Sequence, residues 1–219
     1  GKPSQSKVAG SKPARGSKLF LDLHSSRHYF LYTFILEIHL VTQLPAFAFE
    51  GKIPSIGKTS YVSHSADVIG DVAIGEGCFI GPGARIKGDY GTVRIGSYTS
   101  IQENCVVHAR PSDICVIGDY VTVGHGAIIH TARVEDYAVI GMGAVVSDFA
   151  RVGEWAVVGE GAVVTSRTQI PSQKICVGIP AKIIGEVDDE YKQQWMKYKN
   201  YYRELAERRY PQGLKRVLE

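Results

Sequence analysis

No two of the four cysteines, Cys78, Cys105, Cys115 and Cys176, stand in a C-x-x-C spacing. That argues against a cysteine-built zinc site or a dithiol redox centre, and the thiols read as buried or free in a reducing compartment. The chain also lacks a run of roughly 18 uncharged residues, the least that a membrane-spanning helix needs. Its most apolar stretch, LFLDLHSSRHYFLYTFILEIHLVTQL, is broken by Asp22, Arg27 and Glu37. A basic stripe is missing too. The formal charge is +3, but residues 1–44 hold six Lys or Arg against two acids, so the remainder is near neutral. Neither a membrane nor a nucleic-acid partner is expected.

What is there suffices for one domain with a substantial core: 219 residues, 44% hydrophobic and 21% charged. Residues 1–44 stand apart, because the first eighteen hold five basic residues, no acid and many Ser, Gly and Pro. They read as a disordered or non-native N-terminal extension. The same composition suits a transit peptide, so organellar import stays open beside a cytoplasmic location. His24, His28 and His39 lie in this segment and are expected to have no chemical role.

From residue 62 the chain repeats with a period of six. Val62, Val68, Ile74, Ile80 and Ile86 form one series, and Ile95, Ile101 and Val107 a second. Ile117, Val123 and Ile129 follow, then Val134, Ile140, Val146, Val152, Val158 and Val164. Four residues after each there is usually a small or β-branched side chain, such as Ala66, Cys78, Ala84, Ala127 or Ala138. Neither a helix nor a hairpin meander has this period. A parallel β-solenoid has, each short strand giving one inward aliphatic before a corner at small or Gly residues. The solenoid is predicted over residues 45–185. Its register slips in three places: Ile86 to Ile95 has three residues in excess, Val107 to Ile117 four, and Ile129 to Val134 is one short. Residues 186–219 are predicted to be an amphipathic helix and tail packed along the solenoid. Asp188 or Asp189 stands near the N-cap, Tyr191, Trp195, Tyr198, Tyr202 and Leu205 form one apolar stripe, and Pro211 is the stop.

Register also places the histidines. His108 and His130 each follow a ladder aliphatic and are 22 apart, one 18-residue coil plus the four-residue bulge. They should stand on adjacent coils with backbones ~4.8 Å apart, close enough to share a metal. His125 belongs to the preceding hexad and projects from another face. A three-fold oligomer resolves this if His125 of one subunit completes the pair on its neighbour. Three neutral imidazoles with an open fourth position suit a catalytic Zn²⁺, with Fe²⁺ or Co²⁺ as alternatives. His64 reads as structural.

The motifs KGD (87–89), SIQENCVVH (100–108), VTVGHGAIIH (121–130), IGMGAVV (140–146), GIPAK (178–182) and YYRELAER (201–208) carry a strong resemblance to one family. Over roughly residues 50–210 the chain resembles the gamma-class carbonic anhydrases and their ferripyochelin-binding-protein-like relatives. The resemblance implies a left-handed triangular β-helix, a homotrimer, and a zinc held between subunits by His108, His125 and His130. It implies reversible hydration of carbon dioxide to bicarbonate by a metal-bound hydroxide that Gln102 orients. Asp89 matches an interface aspartate whose arginine partner is replaced here by Lys87. Tyr202 matches an active-site tyrosine on the terminal helix, although core packing explains it nearly as well. Ser100 stands where the best-studied form has asparagine, Tyr90 where a catalytic glutamate would lie, and the ARPSD bulge (109–113) offers no glutamate as proton shuttle. Two rivals remain: a metal-assisted acyl-CoA thioesterase or hexapeptide acyltransferase, and a structural or assembly subunit of low activity.

Overall fold

The period of six fixes the shape of each coil. Two-residue strands such as Thr122–Val123 place one side chain inward and one outward, and the next corner follows at once. In the computed structural model, which describes residues 45–215 and 217, three such hexads close one coil. One face stacks Val62, Ile80, Ile101, Val123, Ile140, Val158 and Cys176 in continuous parallel register. These form seven parallel rungs, and the other two faces merge into a 12-stranded sheet. The inward Val and Ile are almost wholly buried, as are the small residues four positions on. Burial pushes the thiols of Cys78, Cys105 and Cys115 up to about 11. The predicted all-β solenoid with one packed C-terminal helix is the observed fold. The N-terminal extension and its histidines lie outside the described residues.

The corners follow a rule that the periodicity did not reveal. At most corners the third residue after the ladder aliphatic turns the chain through the left-handed region. Glycine fills some of these positions, such as Gly126 and Gly143, but Tyr98, Tyr120, Tyr137 and Trp155 fill others at φ 52–59°. Two interactions offset that strain. Each of these N–H groups donates to a carbonyl one coil back, as in Tyr120 to Ser97 and Tyr137 to Asp119, both 2.9 Å. The four rings also stack in one column, at centroid spacings of 4.8, 5.2 and 4.9 Å.

The two long excursions share a corner, one coil apart. The eleven-residue strand Arg85–Ile95 crosses it and carries the first. The bulge at 109–113 lies on it, with Thr92 N–H donating to the Asp113 carbonyl at 2.9 Å. The one-residue deficit falls at Thr131, which takes the left-handed position (φ 46°) one residue early. At the far end, strand Lys182–Glu186 pairs antiparallel with Lys174–Val177 and covers the last rung.

Helix α1 (Asp189–Glu204) is capped by Asp188, whose side chain accepts from Tyr191 N–H at 2.7 Å. Its buried face is rotated from the predicted stripe. Tyr198 is 46% exposed, whereas Lys199 is 2% exposed. The Lys199 ammonium reaches Thr122 Oγ1 at 3.2 Å and the Ala138 carbonyl at 3.4 Å, and lies 5.6 Å from the Trp195 ring centre. A stripe drawn from apolar residues alone cannot anticipate a lysine with such partners. Pro211 does not end the helical winding either. A π-helical turn, Leu205–Arg209, leads without a break into α2 (Tyr210–Gly213), which contains Pro211. Among the described residues no helix is long and apolar enough to cross a membrane.

Candidate metal centre

His108 and His130 end the paired strands Val106–His108 and Ile128–His130 and stand directly opposite each other. Their inner nitrogens converge: His108 Nδ1 lies 3.2 Å from His130 Nε2. Two nitrogens each 2.0–2.1 Å from one tetrahedral zinc would be roughly 3.3 Å apart, so this pair fits such an ion. The outer nitrogens are occupied. His108 Nε2 is 2.8 Å from Asp89 Oδ1, and His130 Nδ1 is 2.5 Å from Asp148 Oδ1.

His125 lies on the next corner column, two residues beyond strand Thr122–Val123, with its side chain 47% exposed. Its Nδ1 is 2.5 Å from Glu103 Oε2, which leaves Nε2 as its available nitrogen. His125 meets Glu103 by proximity alone, since Glu103 Oε2 makes no hydrogen bond among the described residues, whereas His108 and His130 each back one ring nitrogen with a hydrogen-bonded carboxylate. Metal-binding histidines commonly show this arrangement, because it fixes the tautomer and aims the other nitrogen. Among the described residues of one chain, no three His, Cys, Asp or Glu side chains form a metal-holding group. One chain brings together two predicted ligands and turns the third away.

Each carboxylate behind the His108–His130 pair is itself met by a cation. Lys87 Nζ is 2.8 Å from Asp89 Oδ2, and the Arg110 guanidinium is 3.4 Å from Asp148 Oδ2. Burial alone would raise the Asp89 carboxyl; Lys87 and His108 outweigh it and hold it down at about 2. Asp148 is likewise lowered, with His130 and Arg110 overcoming desolvation. Lys87 and Asp89 thus form their pair within one chain.

Gln102 is buried and belongs to the His125 face; its N–H donates to the Val123 carbonyl at 3.0 Å. Both residues line a groove of about 450 Å³ that runs beneath α1 to Tyr191 and Trp195. Tyr202 packs edge-on against Phe79, with ring centres 5.3 Å apart. Its pKa is raised by burial and then by the charge of Glu103, which sets it on the His125 face as well. Tyr90 is exposed, and Ser100 is buried on the rung beside Thr122.

Sequence reasoning missed Glu103, Asp148 and Arg110. A signal did exist for the two acids. Glu103 precedes His125 by 22, the same offset that separates His108 from His130, and Asp148 follows His130 by the 18 residues of an unmodified coil.

Fold and site together define a hexapeptide-repeat solenoid with a stacked histidine pair on one corner column and a further histidine on the next. In agreement, residues 54–88 match the family model described as bacterial transferase hexapeptide (six repeats). The chain is 43% identical to the "Probable carbonic anhydrase" of Methanocaldococcus jannaschii, over 62% of this chain and 85% of that protein. It is 39% identical to "Gamma carbonic anhydrase 1, mitochondrial" of Arabidopsis thaliana, over 64% of this chain but 53% of the plant protein, about half its length. It is 35% identical to "Carnitine operon protein CaiE" of Escherichia coli, over 66% and 74% of the two chains. Among solved structures, a hexapeptide transferase family protein from Anaplasma phagocytophilum superposes with a TM-score of 0.68 at 31% identity, over 74% of this chain and 95% of that one. The chain belongs to the gamma carbonic anhydrase-like family of hexapeptide-repeat proteins.

Proposed function

We propose that the chain catalyses the reversible hydration of carbon dioxide at a divalent cation, zinc foremost, held between copies of a homotrimer. The observation that carries this reading is the 3.2 Å convergence of His108 and His130, each with a carboxylate hydrogen-bonded to its other ring nitrogen. His108 and His130 of one copy and His125 of a second would hold the ion. When bound, it supplies a Lewis acid that brings the pKa of a coordinated water near 7. A second copy also suits the surface. The outward residues along the His108–His130 face are Val106, Ile128, Val145 and Val163 in unbroken register, an apolar column left partly exposed in one chain.

The remaining roles belong to the chain's own side chains. Asp89 and Asp148 hold the tautomers of His108 and His130, and Glu103 stands beside His125. Gln102 arrives with His125, so the subunit that supplies the third ligand also supplies a buried carboxamide to orient the attacking oxygen and the carbon dioxide. Tyr202, on that same face, is assigned to the wall of the site. The 109–113 bulge holds Asp113 but no glutamate to carry the proton away, so the proton is assigned to buffer or water.

Loading the purified chain with Zn²⁺ and following carbon dioxide hydration by stopped-flow with a pH indicator tests the reaction. Mixing His108→Ala with His125→Ala subunits tests the sharing. Each variant alone should be inactive and mixed trimers should regain activity; no recovery after confirmed subunit exchange would refute a shared site. The second reading is acyl-CoA chemistry, which the transferase name of the Anaplasma structure favours. Chelator-sensitive acyl-CoA hydrolysis without hydration would select it. Metal content with neither activity would point to a structural subunit.

A further inference from the structure

Asp148 has two neighbours at comparable corners, and they spend their carboxylates on the backbone. Asp119 Oδ1 accepts from Ser97 N–H at 2.6 Å, and Asp136 Oδ1 accepts from Asp119 N–H at 2.8 Å. Those two pin adjacent coils together. Asp148 instead turns both oxygens to side chains: Oδ1 to His130 Nδ1 at 2.5 Å and Oδ2 to Arg110 at 3.4 Å.

The register explains why it can. Ile129 pairs with Val146, so His130 stands beside Ser147. The coil of His130 then turns at Thr131, one residue early, while the coil above turns only at Phe149. Asp148 is the residue for which the coil below has no counterpart, and its carboxylate descends onto His130. The one-residue deletion thus makes room for the contact. The four-residue bulge supplies the cation, for Arg110 lies in it, and Arg110 N–H is tied to Thr131 Oγ1 at 2.9 Å. Both departures from the hexad meet on one imidazole.

We propose that Asp148 is a positioning residue for the metal site, acting through His130, and that Arg110 acts through Asp148. This rests on the metal reading above. The carboxylate selects the His130 tautomer with its proton on Nδ1 and leaves Nε2 as the donor to the ion. The guanidinium keeps the carboxylate charged and pointed at the ring. Lys87 and Asp89 do the same for His108, so the two halves of the pair are built alike from different parts of the chain.

The measurement is Zn²⁺ affinity of the metal-stripped full chain, by competition with a chromophoric chelator, for wild type, His130→Ala, Asp148→Asn, Asp148→Glu and Arg110→Ala. Asp148→Asn keeps the size of the side chain and should weaken Zn²⁺ by about 10–100-fold. Asp148→Glu should recover part of that loss, and Arg110→Ala should weaken Zn²⁺ by a smaller factor. The melting midpoint of the stripped chain should barely move for Arg110→Ala, whose side chain is half exposed, so a loss of affinity there is not a loss of fold. Wild-type affinity in both Asp148→Asn and Arg110→Ala, with His130→Ala impaired, would overturn the proposal and leave the metal reading intact. Equal, weak affinity in wild type and His130→Ala would overturn the metal reading itself. Should Asp148→Asn fail to fold, Arg110→Ala decides alone: unchanged affinity refutes the relay and weakened affinity supports it.

Discussion

At the scale of single residues the informative groups are polar side chains in places that hydrophobic patterning assigns to the core. Lys199 is the clearest. No carboxylate lies within ion-pair distance of it among the described residues, and burial pushes its ammonium down to about 7. A base with a folded pKa below its unfolded value of 10.5 takes up a proton on unfolding anywhere between the two. Stability should therefore rise with pH from about 7 to 8.5. Above pH 9 the buried thiols act in the opposite sense, since the unfolded chain loses their protons first. Urea midpoints measured across pH 7–8.5 should climb in wild type and run flat in Lys199→Met. Parallel slopes would show that Lys199 stays charged in the fold. The imidazoles obey the same lesson, since their outer partners matter as much as the rings.

At the scale of elements the corners do most of the positioning. The strand Arg85–Ile95 brings Lys87 and Asp89 to His108 only because Gly88 lets it pass close to the coil below. A Cβ at Gly88 would stand 2.3 Å from the Asp71 carbonyl oxygen, and Gly70 opposite it is itself at φ +76°. Neither neighbour is a side-chain tip that could swing aside. Gly88→Ala should cost at least ~1–3 kcal/mol through forced backbone movement. It should lower the melting midpoint and weaken Zn²⁺ together; an unchanged midpoint would mean that the coil relaxes freely there. Helix α1 works differently. It covers one face with Tyr191, Trp195 and Lys199 and leaves the groove that Gln102 and His125 line.

At the scale of the whole molecule the shape divides the site. A rigid triangular rod puts His108 and His130 on one corner column and His125 with Gln102 on another, and no local motion of a two-residue strand can bring them together. On the proposed metal reading, closure takes a second copy, and a three-fold arrangement would give each copy one pair and one third ligand. Stripping the metal should then weaken assembly as well as the fold. A ligand bound only to the native trimer at a hundredfold excess over its Kd contributes about 2.7 kcal/mol. Chelation should lower the melting midpoint and make it depend on protein concentration, with sedimentation reporting the loss of trimer. A midpoint indifferent to chelator would contradict an intersubunit ion.

The sequence by itself determined the solenoid, because a period of six is a local rule that each hexad obeys without reference to its neighbours. The same counting put His108 beside His130 and kept His125 apart, since one coil is 18 residues and the bulge adds four. Only the tertiary structure decided what stands behind each ring. Asp148, Glu103 and Arg110 come from other coils, and their side chains follow corner geometry that the aliphatic ladder does not encode. The burial of Lys199 and the exposure of Tyr198 were likewise out of reach, because the rotation of α1 is set by what the solenoid face presents to it. Thr122, Trp155 and Trp195 there receive the Lys199 amine. Apolar spacing records which residues avoid water, and polar partners across coils are visible only once the coils are stacked.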